Sequence, residues 1–467
     1  MIRYDFEKRK GQPLYEYLYD CLKNDILSGH LPAGMKLPSK REFARENDIS
    51  VKTVINAYEQ LVVEGYLYSE EKRGYFVADV ETMSEYRSEP AEYPPVYDEE
   101  SWFADFTVNN TAYEKFPFTQ WRKVMREVLS EYDVELVKRV HFQGIRELRT
   151  AIAEYLYRTR KMQVSPECII IGAGIEYLYN RLMKILPQDA IYAVESPGSK
   201  KIPGIYDEFG VTWTYIPMNE NGIDVDSLRA KGADVIHVSP EHSYPLGTVM
   251  TVARRQELLE WCARKMERYI IEDDYDCEFR YNSRMVPTLY SMDTQHRVIY
   301  MNTFSKTLAP SLRISYMILP EKLMRRYLEG ATFYSNTASA CEQYALAKFI
   351  DRKYFERHVS RLKKHYSAQR DLLIQIIRGA TYLPVREIGG TDCGTHLLVW
   401  LDTGLADIEL KWLAKQQKIH IEFLSEFCAE IEERYQHIMI LNYSEMNEEI
   451  LREAIRRLDE IFRYLQS

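Results

Sequence analysis

Apolar residues recur at helical spacing in two segments near the start of the chain, "PLYEYLYDCLKNDILSG" and "DISVKTVINAYEQLVVEGYL", and a glycine closes each pattern. Between them, Ser39 is followed three residues later by Glu42, which matches a capping box and predicts a short helix over "KREFAREN". The segment "YLYSEEKRGYFVAD" alternates apolar and polar residues around a polar tip, as a β-hairpin does. Three helices and a hairpin predict a small α+β winged helix-turn-helix DNA-binding domain over residues 1–79.

This periodicity stops over residues 80–101, where "VETMSEYRSEPAEYPPVYDEES" contains prolines and acidic residues that predict a linker. From residue 102 onward, short apolar runs alternate with helix-length segments such as "IEYLYNRLMKIL" and "TVARRQELLEWCARKM". The runs are "CIIIGAG", "AIYAVES", "VTWTYIP", "DVIHVSP", "YIIEDDY", "RVIYMNT" and "ISYMILP". The alternation predicts an α/β domain over residues 102–467, with a mainly parallel central sheet covered on both faces.

Charge and cysteine content narrow the classes of function. The net charge of −9 and the pI near 5.7 argue against a protein that coats nucleic acid by bulk electrostatics, although they permit a small DNA-reading domain on an acidic body. The seven cysteines lack CxxC spacing and a neighbouring histidine pattern, so they predict no zinc site and indicate a reducing compartment. The charged N-terminus and the lack of a long apolar run predict a cytoplasmic protein without a membrane segment.

Lys306 lies in a markedly apolar segment, "YMNTFSKTLAPSLRISYMIL", between two hydroxyl residues, and Arg313 follows seven positions later. A lysine sheltered by such neighbours loses hydration, which disfavours its ammonium form and makes its amine a usable nucleophile. The alternative is a lysine whose stem packs while its charged head reaches solvent. The first interpretation predicts a partner that carries a carbonyl group.

Other predicted strands also end in residues suited to chemistry, and ligands of such sheets bind at the carboxyl ends of the strands. The run "CIIIGAG" ends in Gly172, Ala173 and Gly174, small residues that let backbone N–H groups approach an anion, although such a turn is also common without a ligand. "IIEDDYDCEF" places three carboxylates at a strand end, which is typical either of a metal site or of a solvated loop. "HVSPEHSYPLG" adds a serine, a histidine and a tyrosine at another.

These motifs occur in an order that resembles a known family. The succession of Gly172, Ala173 and Gly174, then "SPEHSYPLG", "EDDYDCEFRY" and "NTFSKTLAPSLRISY", resembles the fold-type I aminotransferases, which bind pyridoxal 5'-phosphate. The preceding "LPSKREFARENDISVKTVINAYEQLVVEGYLYSEEKRGYFV" looks like a GntR-type DNA-binding domain, and "FPFTQWRKVMREV" and "GIRELRTAIAEYL" match the start of the family's large domain. Over nearly its full length, the chain resembles the MocR/GabR subfamily of bacterial transcription regulators.

The resemblance implies a set of cofactor contacts. Lys306 would form the internal aldimine with pyridoxal 5'-phosphate, Asp273 would pair with the pyridine nitrogen, and Tyr275 would donate to the phenolate oxygen. Side chains and backbone amides at a helix start would hold the phosphate. The implied cofactor site comprises Ala173, Gly174, Ile175, Tyr244, Asp273, Tyr275, Thr303, Ser305, Lys306 and Arg313. The carboxylates then have a role without a metal, and no metal site is predicted.

Two departures from the family concern the ligand that would react with the cofactor. Where relatives have an aromatic residue and then an arginine after a Pro-Gly turn, this chain has Ser199 followed by Lys200 and Lys201, the candidate effector-binding residues. A lysine lacks arginine's planar grip on a carboxylate, and ring stacking would have to come from another residue, such as His242. The family's arginine on a C-terminal strand is also missing from "HIMILNYSEM", and Arg434 is the nearest upstream. Without that clamp we expect little or no transaminase turnover.

Polar residues of the N-terminal domain are candidate DNA contacts at a helix start, on the third helix and at the hairpin tip. They are Ser39, Lys40 and Arg41, then Lys52, Thr53 and Asn56, then Lys72 and Arg73. The first group would grip phosphate, the second would reach base edges or backbone in the major groove, and the third could enter the minor groove. The alternative is a surface of ordinary solvated charges. Because acidic and basic residues nearly balance in this domain, we expect a homodimer that reads two half-sites of double-stranded operator DNA, and fold-type I proteins are usually dimers.

Three hypotheses about function follow from these patterns. The first is a transcription regulator whose aminotransferase-like domain senses a small amino compound through aldimine exchange at Lys306. The second is an active aminotransferase that depends on pyridoxal 5'-phosphate, and the third is a sensor of pyridoxal 5'-phosphate itself. The missing C-terminal arginine favours the first or the third over the second. The presence of Lys306 favours all three over a scaffold without a cofactor.

Overall fold

The computed structural model describes residues 2–80, 101–108, 112–281 and 286–466. The chain forms two compact units, Met1–Glu99 and Glu100–Ser467. Residues 81–100, which make up nearly all of the predicted linker, lie outside the described residues. The domain boundaries expected after residue 79 and at residue 102 therefore stay predictions.

The N-terminal unit is a winged helix-turn-helix, as the sequence predicts. Its elements are α1 (Leu14–Leu27), α2 (Lys40–Glu46), α3 (Val51–Val63), β1 (Leu67–Glu70) and β2 (Gly74–Val77). Ser39 caps α2 in the predicted capping box, and Ser50 caps α3. The helices bury a common core that includes Leu18, Phe43 and Tyr58, and β1 pairs with β2 in antiparallel register. Because this core takes the apolar face of α3, the polar face remains exposed.

Helices and strands alternate through most of the large unit. The helices are α4 (Phe118–Glu131), α5 (Asp133–Leu136), α6 (Arg146–Arg160), α7 (Ile175–Met183), α8 (Lys201–Glu208), α9 (Val225–Ala230), α10 (Val252–Ala263), α11 (Leu289–Met292), α12 (Glu321–Ala331), α13 (Ala340–Asp351), α14 (Tyr354–Arg378), α15 (Asp407–Gln416) and α16 (Glu448–Gln466). The strands are β3 (Ala104–Asp105), β4 (Ile169–Ala173), β5 (Tyr192–Ser196), β6 (Trp213–Asn219), β7 (Gly222–Ile223), β8 (Val235–Val238), β9 (Tyr269–Asp273), β10 (Val298–Thr303), β11 (Ile314–Ile318), β12 (Val385–Gly389), β13 (His396–Leu401), β14 (Ile419–His420), β15 (Glu422–Phe423) and β16 (Ile438–Asn442). The strands predicted from apolar runs are β4, β5, β6, β8, β9, β10 and β11, and all of them are present.

The central sheet has the strand order β4-β11-β10-β9-β8-β5-β6-β7 and is mainly parallel, as predicted. The strands from β10 to β6 run parallel, whereas β11 is antiparallel to both of its neighbours. Its first residue, Ile314, therefore lies opposite Ala173, the last residue of β4, while Ser315 lies opposite Thr303 at the end of β10. The loop between β10 and β11 thus begins and ends at the edge where the parallel strands terminate.

The central sheet is buried on both faces, which explains its continuous apolar runs. Successive residues of a strand point to opposite faces, so Ile170 and Ile171 belong to separate hydrophobic clusters. Gly172 lets α7 approach β4 closely, because a Cβ at this position would lie 2.6 Å from the Tyr177 side chain and 2.7 Å from that of Leu178. The close approach brings the first turn of α7 to the carboxyl edge of the sheet.

A second sheet forms from the C-terminal part of the chain in the order β12-β13-β16-β15, and its strands are antiparallel. It packs with α14 and α16 around a core that includes Leu362, Leu397 and Leu458. Of this sheet, the sequence indicated only the strand in "HIMILNYSEM", which is β16. Among the described residues, the helices are too short or too polar to cross a lipid bilayer.

Candidate functional site

A cavity of about 500 Å³ opens at the carboxyl edge of the central sheet. The start of α7, the ends of β5, β8 and β9, and the loop between β10 and β11 contribute to its lining. Nine of the ten predicted cofactor residues line it, namely Gly174, Ile175, Tyr244, Asp273, Tyr275, Thr303, Ser305, Lys306 and Arg313. A cavity of this volume holds a cofactor-sized molecule.

Lys306 lies in the loop between β10 and β11, and its side chain lines the cavity. Burial lowers the pKa of this lysine to about 8, while the charge of Asp276 opposes the shift and the charge of Lys201 adds to it. At mildly alkaline pH a large fraction of the amine is therefore uncharged. An uncharged amine attacks a carbonyl carbon, whereas an ordinary surface lysine is almost fully protonated.

The three carboxylates at the end of β9 have different environments. Glu272 accepts two hydrogen bonds of 2.8 Å from backbone N–H groups at the start of α11, so it caps that helix. Asp274 is buried and accepts a hydrogen bond of 2.5 Å from Arg160. Of the three, Asp273 alone lines the cavity. They are not arranged as metal ligands, and across the described ranges no group of three or more His, Cys, Asp or Glu side chains could hold a metal ion.

A buried histidine and a buried glutamate, both missed by sequence reasoning, also line the cavity. His237 Nε2 lies 3.5 Å from a carboxylate oxygen of Asp273 and has no hydrogen-bond partner among the described residues. Burial raises the pKa of Glu195 to about 7, and His237 opposes this shift. Each is the one titratable polar residue near the end of a mostly apolar strand, next to the last residue, and this pattern could have identified both.

Tyr275 follows β9 and lines the cavity, with buried polar groups behind it. Its hydroxyl lies 3.1 Å from His242 Nδ1, which is 2.7 Å from a carboxylate oxygen of Asp276. Burial alone would lower the pKa of His242, but the charge of Asp276 raises it well above its usual value. The one proton on Nδ1 is donated to the Asp276 carboxylate, the closer acceptor, so Nδ1 cannot accept from Tyr275 and the tyrosine proton is directed elsewhere. His242 packs against the rings of Tyr275 and His396 and does not line the cavity, so it is not placed to stack on a ligand there.

The end of β10 supplies a hydroxyl group to the cavity, and the residue before β11 supplies a guanidinium group. Thr303 Oγ1 accepts hydrogen bonds of 3.2 Å from the Ser305 backbone N–H and 2.8 Å from the Ser315 hydroxyl, which leaves the threonine proton for an anion. Arg313 has a φ of +49°, a left-handed conformation that is uncommon for residues other than glycine and is concentrated at functional sites. Its guanidinium adjoins Gly174, where an added Cβ would lie 2.5 Å from Arg313 Nη2.

In the turn before α7, two backbone N–H groups that the sequence predicted for an anion already donate to other groups of the chain. The backbone N–H of Ala173 donates to the Thr337 hydroxyl at 3.1 Å, and that of Gly174 donates to the Gly172 carbonyl at 2.9 Å. Ala173 is held in β4 by strand pairing and is absent from the cavity lining. The N–H groups suited to an anion are therefore those in the first turn of α7, from Ile175 onward.

Glu176, which the sequence patterns did not single out, pairs with two cations at the cavity. Its Oε2 accepts a hydrogen bond of 2.8 Å from Arg313 Nη2, and its Oε1 accepts one from Lys201 Nζ. Partial burial alone would raise the pKa of this carboxyl, but the Lys201 hydrogen bond, its own backbone N–H and the Arg313 charge together lower it to about 2. No sequence signal was available, because a glutamate in the first turn of a helix is favoured by the helix dipole alone.

Of the three predicted effector positions, Ser199 and Lys201 line the cavity and Lys200 does not. Lys200 Nζ lies over the Phe427 ring, 4.3 Å from its centre, and 3.8 Å from a carboxylate oxygen of Glu426. Consecutive residues of a helical turn point in different directions, so the two lysines face different surroundings.

The C-terminal strand that would carry a carboxylate clamp is β16, and its residues are buried. Arg434, the nearest arginine upstream, pairs with Glu432 at 2.7 Å and does not line the cavity. Within the described part of the chain, Arg313 is the one arginine in the lining. A second arginine for a substrate carboxylate is therefore not provided by these residues.

The predicted DNA contacts differ in how free their side chains are. Arg41, Lys52, Asn56 and Lys72 have exposed side chains. Four others have contacts within the N-terminal unit, namely Ser39, Lys40, Thr53 and Arg73. Lys40 Nζ is 3.5 Å from Glu59 and lies over the Tyr75 ring, whereas Arg73 pairs with Glu70 at 2.5 Å. The exposed polar face of α3 and the hairpin tip are the surfaces available to a partner.

Family comparisons match both units of the chain. Residues 103–458, more than half of the sequence, match the family Aminotransferase class I and II, and residues 14–77 match Bacterial regulatory proteins, gntR family. The chain is 36% identical over 453 residues to the HTH-type transcriptional regulator YdeL of Bacillus subtilis (strain 168), an alignment that covers 96% of each chain. It is 29% identical over 479 residues to the probable rhizopine catabolism regulatory protein MocR of Rhizobium meliloti, covering 97% of this chain and 95% of that one.

A third relative is the HTH-type pyridoxine biosynthesis transcriptional regulator PdxR of Corynebacterium glutamicum, which is 27% identical over 395 residues, or 82% of this chain and 83% of that protein. Among solved structures, kynurenine aminotransferase of Pyrococcus horikoshii superposes with a TM-score of 0.70 over 79% of this chain and 92% of that one, at 22% identity, which shows a shared fold. The chain therefore belongs to the MocR-type transcription regulators, in which a GntR-type winged helix-turn-helix is joined to a fold-type I aminotransferase-like domain.

Proposed function

We propose that this transcription regulator binds pyridoxal 5'-phosphate in the cavity of its aminotransferase-like domain and senses a small amino compound by an exchange of amines at Lys306. The observation that carries the proposal is a lysine whose pKa is lowered to about 8 in a cavity that also presents Asp273, Tyr275 and Arg313. Pyridoxal 5'-phosphate has an aldehyde, a ring nitrogen, a phenolate oxygen and a phosphate. An amine, a carboxylate, a hydroxyl and a guanidinium group suit these four parts in turn.

The residues of the cavity fit this cofactor. Gly174 leaves a space next to Arg313 that a Cβ would fill, and the Thr303 hydroxyl adds a donor to the cavity lining. His237 Nε2 is buried, lacks a hydrogen-bond partner among the described residues and faces Asp273, so it is suited to hold that carboxylate in place. Donors for an anion and an acceptor for a protonated ring nitrogen are therefore both present.

When bound, the cofactor supplies a reactive aldehyde carbon and an electron-withdrawing ring. Lys306 would provide the neutral amine for that carbon, and Asp273 would hold a proton on the ring nitrogen. Tyr275 would donate its hydroxyl proton to the phenolate oxygen, because the proton on His242 Nδ1 behind it prevents that nitrogen from accepting the tyrosine proton. Arg313, with Thr303, Ser305 and the first turn of α7, binds the phosphate by charge-assisted hydrogen bonds.

The effector in this proposal is a small primary amine that replaces the lysine amine on the cofactor. Of the three predicted effector positions, Ser199 and Lys201 are placed to contact such a ligand, because both line the cavity. Lys200 is not part of this proposed contact, since its ammonium lies over Phe427. Without a second arginine in the described lining, a carboxylate on the effector would be held only at a single point by a lysine.

The N-terminal unit binds double-stranded operator DNA in this proposal. The exposed Lys52 and Asn56 of α3 would face the major groove, with Arg41 on the phosphate backbone and Lys72 in the minor groove. Ser39, Lys40, Thr53 and Arg73 would contribute mainly by positioning, because their side chains have partners within the unit. A homodimer would place two such units on two half-sites.

A Lys306→Ala variant tests the proposal. The wild-type protein incubated with pyridoxal 5'-phosphate is expected to turn yellow, to gain a mass adduct on Lys306 after borohydride reduction, and to change its operator affinity with an active amine. The variant is expected to lose all three properties, whereas Lys200→Ala keeps them. A colourless wild-type protein with no trapped adduct would overturn the proposal.

A second candidate function is a sensor of pyridoxal 5'-phosphate itself. The contact between Glu176 and Arg313 favours it, because a carboxylate at the proposed phosphate position opposes permanent cofactor binding. The relative PdxR is named for regulation of pyridoxine biosynthesis. In this case the cofactor alone changes operator affinity, and added amines have no further effect.

Formation of keto acids from amino donors at enzyme-like rates would instead favour an active aminotransferase.

A further inference from the structure

The carboxylate of Glu176 is surrounded by donors of the kind that bind phosphate. It lies in the first turn of α7, where its own backbone N–H stabilises its charge. Its two oxygens accept hydrogen bonds from Arg313 and from Lys201. A helix start, a guanidinium and an ammonium together make an anion site. In this structure the anion in that site is the Glu176 carboxylate.

We propose that Glu176 competes with the cofactor phosphate for Arg313 and thereby sets how strongly the chain prefers phosphorylated over unphosphorylated pyridoxal. This inference rests on the proposed function, in which Arg313 binds the phosphate. The competition makes cofactor binding reversible, so that occupancy follows the cofactor concentration.

The exposure of the three side chains makes the contact exchangeable. Glu176, Lys201 and Arg313 are 40%, 53% and 54% exposed. Ion pairs between exposed groups cost little to separate, because water solvates each partner, whereas a buried pair would be lost only at high cost. An incoming phosphate therefore displaces the carboxylate without leaving a buried charge unpaired.

The turn at Gly174 brings the competing groups together. A Cβ there would lie 2.5 Å from Arg313 Nη2 and 2.9 Å from a carboxylate oxygen of Glu176, so both groups reach over the same glycine. A phosphate bound by Arg313 at this turn would lie beside the Glu176 carboxylate. Two anions close together repel each other, which lowers the affinity for phosphate unless the carboxylate moves away.

The full-length protein with Glu176→Gln tests the inference, with pyridoxal 5'-phosphate and pyridoxal titrated separately and followed by absorbance. Removing the charge is expected to tighten pyridoxal 5'-phosphate by about tenfold, the effect of one close like charge in a partly solvated site. The affinity for pyridoxal, which lacks the phosphate, is expected to change by less than about twofold. Glu176→Ala is a second variant with the same expected direction, since alanine suits a helix.

Glu208→Gln serves as the control, because Glu208 is an exposed acid on α8 outside the cavity lining and its loss changes the net charge equally. Equal or weaker binding of pyridoxal 5'-phosphate by both Glu176 variants, or equal tightening in the control, overturns the inference and leaves the proposed function standing. If neither wild type nor any variant forms an adduct with either aldehyde, the proposed function fails and the inference fails with it.

Discussion

At the scale of single residues, the charge of Lys201 acts on the amine of Lys306. Burial lowers the Lys306 pKa to about 8, and Lys201 adds to that shift. The fraction of neutral amine therefore rises as the pH rises through about 8, and adduct formation with pyridoxal 5'-phosphate is expected to rise with it. In Lys201→Gln one neighbouring positive charge is absent, so the Lys306 pKa rises and the profile moves to higher pH. Absorbance measured from about pH 6 to about pH 10, a range that brackets this pKa, gives the midpoint.

Lys200→Gln is the matched control for this shift. It removes the same charge from the adjacent residue, but its ammonium lies over Phe427 and near Glu426, outside the cavity lining. The midpoint is expected to stay at the wild-type value. Equal midpoints in all three proteins would contradict the assigned role of Lys201.

Gly174 is a second residue at which a single substitution is expected to change the affinity for pyridoxal 5'-phosphate. It has a φ of +94°, and a Cβ would meet Arg313 and Glu176. Gly174→Ala is expected to weaken pyridoxal 5'-phosphate binding by about tenfold or more, because strain and the lost space both move the guanidinium. Equilibrium dialysis measures the change. Gly204→Ala is the control, since a Cβ added to Gly204 in α8 would have no neighbouring atom within 4 Å and the residue has no strained φ; a similar loss there would contradict the explanation.

Residue patterns identify much of this site because its chemistry stands out against apolar strands. Asp273 and Lys306 are recognisable because charged side chains interrupt buried runs near strand ends. His237 and Glu195 carry the same signal but are easily missed, since a single polar residue in a strand usually has a structural partner. Glu176 has no such signal, and its pairing with Arg313 depends on two segments meeting in space. The separation of Lys200 from Lys201 likewise depends on side-chain direction.

At the scale of elements, α3 and the hairpin are expected to act through exposed charges. Lys52→Ala is expected to weaken operator binding and to lower the salt dependence of log K by about one unit if this exposed lysine reaches the DNA backbone from the major groove, because one phosphate contact is then lost. Fluorescence anisotropy at several salt concentrations measures both quantities. Footprinting with Lys52→Ala and Arg73→Ala locates the contacts on the operator.

Lys40→Ala provides the contrast. Its ammonium lies near Glu59 and over Tyr75, so its removal is expected to lower the Tm of the N-terminal unit while changing the salt slope less than Lys52→Ala does. Circular dichroism of the same samples separates the two effects. If Lys40→Ala changed the salt dependence of log K more than Lys52→Ala does, the inference that exposed cations contact DNA more than internally paired ones would be contradicted.

Strand positions and the mainly parallel arrangement of the central sheet could be predicted from sequence, but the reversed direction of β11 could not. The seven apolar runs identified β4, β5, β6, β8, β9, β10 and β11, because strands buried on both faces are continuously apolar. β11 is antiparallel to β10, to which a short connection joins it. No residue type in the sequence indicates this direction. The C-terminal sheet was missed as a unit because β12 is partly exposed and has no continuous apolar run, and β15 has only two residues.

At the scale of the whole molecule, the two compact units predict two unfolding events. Pyridoxal 5'-phosphate is expected to raise the Tm of the larger unit alone, because a ligand that binds only the folded state adds about 2.7 kcal/mol at one hundred times its Kd. Differential scanning calorimetry with and without the cofactor measures both transitions. Lys306→Ala is the control and is expected to show a smaller shift. Equal shifts of both transitions would contradict the prediction of separate domains.

The reversed direction of β11 affects how turnover and cofactor attachment could be lost separately during evolution. Residues 304–313 leave and rejoin the central sheet at one edge, so a single short connection carries both Lys306 and Arg313. A substrate clamp would instead come from β16, which belongs to the other sheet. Mutations in that distant strand can therefore abolish turnover in a descendant while the attachment of its prosthetic group persists unchanged.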